Sequence, residues 1–191
     1  TPPHVAEGEG WVTAEYSMLP RANRERSKRD IAKLKLSGRS AEIQRLIGRS
    51  LRAAVDLRRL GERTIIIDCD VLQGDGGTRT ASVTGGFIAL SLACRKLVED
   101  GVLAASPIVH SVTAVSTGIV GDELLLDLQY SEDSHAQVDL NCVMNELGEI
   151  VEVQGTGEGR AFTLAEQQDL LRLCAKGCRE LRAIQKAALE G

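Results

Sequence analysis

The chain has 191 residues, enough for one domain with a substantial core, and its 43% hydrophobic and 26% charged residues are ordinary for a globular protein. A net charge of −4 argues against a uniformly basic nucleic-acid binder. No apolar run reaches the roughly 18 residues that span a bilayer, and residues 1–10 lack the basic start and apolar core of a signal peptide. Trp11 to Met18 alternates as a strand and ends at Leu19-Pro20. Residues 21–38 read as a basic loop. Ser40 to Leu60 carries Ile43, Leu46, Ile47, Leu51, Ala54 and Val55 at helical spacing, with Ser40 as N-cap and Gly61 as C′. Thr64 to Val71 is a β-branched strand, and a long apolar helix is predicted over 78–99, closed by Asp100-Gly101. The second half changes period. Strands are predicted over Val109–Val120, Glu123–Tyr130, His135–Met144 and Glu149–Thr156, with turns at Gly121-Asp122 and Asn145–Gly148. Thr163 opens a last helix through a capping box to Glu166. Helices mixed with consecutive hairpin strands predict an α+β fold with a largely antiparallel sheet.

Three features carry chemistry. Gly74-Asp75-Gly76-Gly77-Thr78-Arg79-Thr80 joins the second strand to the long helix. A glycine turn there points free N–H groups outward from the electropositive helix end, and Arg79 adds a fork of donors suited to phosphate oxygens. No lysine follows the glycines and Gly-x-Gly-x-x-Gly is absent, so the turn favours free phosphate or a phosphodiester over a dinucleotide. Residues 21–35 hold Arg21, Arg24, Arg26, Lys28, Arg29, Lys33 and Lys35 against Glu25 and Asp30, a local basic patch on an acidic body of the kind polyanions bind. Asp127, Glu132, Asp133 and Asp139 form a carboxylate cluster. Asp133 is placed in the turn 131–134, and Asp139 shares a strand face with Asn141, opposite Val138, Leu140, Cys142 and Met144. Two such carboxylates can converge on magnesium or manganese. Each feature also has a plainer explanation: a tight turn with a solvated arginine, a solvated basic loop, and solvated turn carboxylates. The five cysteines, an odd number lying in apolar stretches, read as buried reduced thiols of a cytoplasmic protein; a zinc site is not expected. His4, His110 and His135 have no motif-supported role.

The order of motifs resembles the ribonuclease PH family, phosphorolytic 3′→5′ exoribonucleases also called tRNA nucleotidyltransferases. The resembling segments are residues 10–22 (Gly-Trp-Val-Thr-Ala-Glu-Tyr-Ser-Met-Leu-Pro-Arg-Ala), 37–52, 67–73 with 77–80, Glu132-Asp133-Ser134, Asp139-Leu140-Asn141, and Gln154-Gly155-Thr156 with Glu158-Gly159. They cover nearly all of the chain in the family's order. The resemblance implies the ribosomal protein S5 domain 2-like α/β two-layer fold, assembled as a hexamer built from a trimer of dimers. It implies that Arg39, Gly77, Thr78 and Arg79 bind inorganic phosphate as co-substrate. Asp133 and Asp139 are then the catalytic acidic pair that holds Mg2+ (or Mn2+), with Asp139 also a candidate general acid. Arg21, Arg24, Arg26 and Arg29 are the loop that grips RNA at the tRNA acceptor stem. The expected activity is trimming of tRNA and other RNA 3′ ends with release of nucleoside diphosphates. Residues 1–191 are expected to form a single domain, N-terminally incomplete relative to the family, whose members carry several dozen residues, including strands of the first sheet, before the equivalent of Thr1. A non-catalytic RNA-binding ring subunit and an inactive truncated form are the alternatives. Retention of Arg39, Arg79, Asp133 and Asp139 together favours the enzyme.

Overall fold

The computed structural model describes residues 2–3, 5–29 and 35–191. His4, Asp30 and Lys33, named above, lie outside them. In chain order the elements are β1 (Trp11–Met18), α1 (Gly38–Arg52), α2 (Leu57–Leu60), β2 (Thr64–Val71), α3 (Thr78–Glu99), β3 (Val112–Val120), β4 (Glu123–Leu126), α4 (Tyr130–Asp133), β5 (Val138–Asn145), β6 (Ile150–Thr156) and α5 (Leu164–Glu190). β1 and β2 pair in parallel, and β4-β3-β5-β6 form a four-stranded antiparallel sheet.

The antiparallel sheet carries a core on each face, as the period of two along a strand dictates. Val112, Ala114 and Val143 point into one cluster with β1, β2, α1 and α3. Val115, Ile119, Val138, Leu140, Cys142 and Met144 point the other way, onto Leu170, Cys174 and Cys178 of α5. Full burial of each such aliphatic side chain contributes about 1.5–3 kcal/mol. α3 is long and apolar enough, by length and composition, to cross a bilayer; here it packs against α1, β2, β3 and α5. Cys94, Cys142, Cys174 and Cys178 are buried free thiols and Cys69 is half-buried; burial pushes the Cys94 thiol up to about 11.

The structure corrects several boundaries. The helix expected over Ser40–Leu60 is two helices. Ser37, not Ser40, caps α1, its hydroxyl accepting from the Ser40 N–H at 3.0 Å. The chain then leaves the helix because Ala54, Val55 and Asp56 bond to another segment. Ala54 O accepts from Val109 N–H, Asp56 N–H donates to Pro107 O, and Val55 bridges to Ile108. Asp56 restarts the turn as N-cap of α2, accepting from the Arg58 and Arg59 N–H groups. β3 starts at Val112 rather than Val109, β5 at Val138 rather than His135, and β6 at Ile150 rather than Glu149. β4 stops at Leu126 instead of running to Tyr130. It stops because Asp127 adopts a left-handed backbone (φ 58°) and Leu128 turns inward to 2% exposure. Asp133 therefore ends a one-turn helix, α4, rather than sitting in a simple turn.

That irregular stretch clasps the glycine turn. The Asp75 carboxylate accepts from the Tyr130 N–H. A Cβ added to Gly76 would lie 1.8 Å from the Leu128 carbonyl oxygen. The contact is backbone on backbone, so it cannot be relieved by a rotamer change. Gly76→Ala should lower unfolding free energy by about 3 kcal/mol or more, read as a lowered urea midpoint at unchanged m-value.

Candidate active site

α3 starts at the clasped turn. Gly77 occupies its N-cap in the left-handed region (φ +67°), where only glycine sits without strain. No side chain caps the helix and no acid lies in its first turn. Its first N–H groups are left for an outside acceptor, at the positive end of a 22-residue helix. The Thr78 hydroxyl beside them is held by the Tyr16 hydroxyl at 2.9 Å.

Arg79 follows in the first turn and is only 19% exposed. Its Nη1 donates to Glu42 Oε1 at 3.2 Å and to Gln154 Oε1 at 3.2 Å. Gln154 Nε2 donates to the same Glu42 oxygen at 3.2 Å. Arg39 stands one helical turn before Glu42 at the start of α1, exposed and without an ion pair among the described residues. The N-terminal turns of α1 and α3 are thus joined through the Glu42–Arg79 pair.

The sheet supplies one of the acids, and α4 the other. Asp139 on β5 registers opposite Gly118 of β3 and Thr156 of β6, and Asn141 opposite Ser116 and Gln154. These residues share the face toward α3. Asp139 Oδ2 accepts from Asn141 Nδ2 at 3.0 Å. Burial, then the nearby Asp133 charge, push the Asp139 carboxyl above its usual range. Arg79 and the Asn141 hydrogen bond pull it back, and Glu158 adds to the rise. Asp133 and Arg79 therefore both act electrostatically on Asp139. Glu132 is used differently: its carboxylate accepts from the Gln129 N–H in a cap of α4. Asp127 stays exposed at the left-handed bend, beside Gly77. Among the described residues no three His, Cys, Asp or Glu side chains converge as a metal cage.

The basic loop is open. Arg21, Arg24, Arg26 and Arg29 are exposed and form no ion pair among the described residues; Arg21 Nη1 reaches only the Arg24 carbonyl, at 3.5 Å. Arg29 lines a 380 Å³ cavity with Glu15, Asp68 and Asp70. The two described histidines stand apart from these groups: His110 bonds Glu146 at 2.7 Å, and His135 bonds the Ser131 carbonyl in its own turn at 2.8 Å. A 660 Å³ cavity lined by Phe87, Ser91, His110, Glu146 and Leu189 lies toward the other end of α3 and touches none of Asp127, Glu132, Asp133 and Asp139.

Residues 1–96 match domain 1 of the 3′ exoribonuclease family, and residues 110–177 match its domain 2. Ribonuclease PH of Corynebacterium glutamicum (strain R) is 61% identical over 182 residues, which is 95% of this chain and 74% of that protein. The chain belongs to the ribonuclease PH family. Ribonuclease PH of Corynebacterium efficiens is 58% identical over the same shares of both chains. The solved Archaeoglobus fulgidus exosome with RNA bound to the active site has the same fold, with a TM-score of 0.76 at 21% identity over 96% of this chain and 73% of that one. The ribonuclease PH fold is accordingly the mixed α+β arrangement described above, with its antiparallel sheet between helices.

Glu42, Asn141 and Gln154 are the residues that motif reading left without a role. Alternation along β5 places Asn141 beside Asp139. Nothing in the order of residues places Gln154 against Arg79, because that contact depends on the register of β6.

Proposed function

We propose that the chain shortens RNA from its 3′ end by phosphorolysis, trimming tRNA ends with inorganic phosphate and releasing nucleoside diphosphates. The observation that carries this reading is the uncapped N-terminus of α3, with the Arg79 guanidinium beside it and the Asp139 carboxyl within its field. Water-driven hydrolysis needs no second anion site. Phosphorolysis does, and a helix end flanked by Arg39 and Arg79 supplies one.

In this reading Gly77, Thr78, Arg79 and Arg39 bind orthophosphate. One of its oxygens attacks the terminal phosphorus, the bond from that phosphorus to the preceding 3′ oxygen breaks, and the shortened RNA keeps that oxygen as its new 3′ hydroxyl. The arginines sit where negative charge grows on the phosphoryl oxygens. Asp139, whose carboxyl is held above its usual range, hands a proton to the departing oxygen in this reading. Asp133 and Asp139 also suit Mg2+ (or Mn2+). They are two hard carboxylates without a closed cage, as expected for an ion that keeps waters and leans on substrate phosphates. An ion held there by the two groups as carboxylates would supply Lewis-acid stabilisation of the leaving oxygen in place of the Asp139 proton.

Residues 1–191 act as a single domain, in the cytoplasm, and assemble as the ring-shaped hexamer of the family. Arg21, Arg24, Arg26 and Arg29 grip the acceptor stem. Arg21→Ala and Arg24→Ala should each weaken tRNA binding and make its salt dependence shallower by about one contact's worth of slope; an unchanged slope removes the loop from the RNA site. The function itself is tested with a short RNA, magnesium and phosphate. Nucleoside diphosphates are expected, and release that continues without phosphate overturns the proposal.

A further inference from the structure

We infer that Gln154 is a positioning residue for the phosphate co-substrate, acting through Arg79; the inference rests on the phosphorolytic reading above. The ring of Arg79, Glu42 and Gln154 ties α3 to α1 and β6 with three bonds of 3.2 Å. Its polarity is fixed by chemistry. Arginine only donates and carboxylate only accepts, so the Gln154 amide must turn its oxygen to Arg79 and its NH2 to Glu42. A neutral amide does both without adding charge: a glutamate here would repel Glu42, and a lysine would repel Arg79.

All of the ring's bonds to Arg79 go to Nη1. The edge formed by Nε and Nη2 has no hydrogen-bond partner among the described residues. Two parallel donors on one guanidinium edge are the arrangement that reads an oxyanion bidentately. Gln154 therefore fastens the arginine at one corner and leaves its recognition edge for the phosphate. The ring has little to do with holding the fold. Glu42 is 45% exposed, and ion pairs of that kind contribute little to stability.

Gln154 sits on the central face of the sheet, opposite Asn141, which holds Asp139. The strand pair β5–β6 thus carries the support of the guanidinium next to the support of the acid. A side chain as long as arginine loses much rotamer freedom when it grips an anion, and a brace that has already removed that freedom tightens binding.

The test is direct titration of the intact protein with inorganic phosphate, with melting temperature measured alongside. Gln154→Met keeps length and removes both hydrogen bonds, and should weaken phosphate binding about five- to tenfold at an unchanged melting temperature. Gln154→Ala should weaken it by the same factor. In an Arg79→Lys background, where the shared Nη1 is gone, Gln154→Met should weaken binding no further. Wild-type affinity in the single variants, or the same loss in both backgrounds, overturns the inference. A wild-type protein that binds no phosphate instead overturns the phosphorolytic reading, a separate result.

Discussion

Arg79→Ala is expected to reduce phosphorolysis by about a hundred- to a thousandfold while leaving RNA binding close to wild type. That size is typical of removing one donor from a preorganised oxyanion site. Arg79 is only 19% exposed, its Nη1 is braced by two partners, and it sits in the first turn of an uncapped helix. The group is thus in place before the reaction and pays no reorganisation when charge develops. The loss should fall on phosphate use in both directions: raised KM for phosphate in degradation, and raised KM for nucleoside diphosphate in the reverse addition of nucleotides. Binding of a 3′-ended RNA, measured without phosphate, should change little, because the proposed RNA contact lies with the exposed arginines at 21–29 instead. An Arg79→Ala protein that still releases nucleoside diphosphates at the wild-type rate removes the anion site from the mechanism. One that loses RNA binding as well moves Arg79 from the phosphate to the RNA.

How much of this could be read from the order of residues depends on the range of the forces involved. β1, β2, α3 and the start of α5 fall where the sequence places them. Their limits are set by local signals: a Leu-Pro stop after Met18, a β-branched run, glycines before Thr78, and a Thr163–Glu166 capping box. The gap between α1 and α2 was not legible, because Ala54 and Asp56 leave the helix to bond with 107–109, far along the chain. The early end of β4 was not legible either. Nothing at Asp127 announces a left-handed turn; the bend is set by the fit of Leu128 into the core and against Gly76. The site divides the same way. Alternation puts Asp139 and Asn141 on one face, and the glycine turn marks the end of α3. The meeting of Glu42, Arg79 and Gln154 joins positions 112 residues apart through a strand register that no short-range pattern encodes.

Asp139→Asn should reduce the rate by at least about a hundredfold and at the same time raise the melting temperature of the metal-free protein. The two effects share one cause. Burial and the Asp133 charge both oppose ionisation of Asp139, and the Asn141 bond and Arg79 only partly offset them. A carboxyl whose native pKa is raised keeps its proton at a pH where the unfolded chain has already lost it. The native state then binds more protons than the unfolded state, so stability falls as pH rises from about 4 through the raised value, and stays lower above it. Asparagine carries no charge to desolvate, and can still accept the Asn141 hydrogen bond through its own carbonyl oxygen. In chelator at pH 7 to 8 the variant should therefore melt above wild type, and at pH 3 the difference should vanish. Catalysis moves the opposite way, because asparagine can neither deliver a proton to the leaving 3′ oxygen nor bind a cation as a carboxylate does. Excess phosphate should not restore the rate, which separates this loss from that of Arg79→Ala. An Asp139→Asn protein that melts below wild type at pH 8 would show that the carboxylate is a net support of the fold. One that keeps its rate would place the proton donor elsewhere.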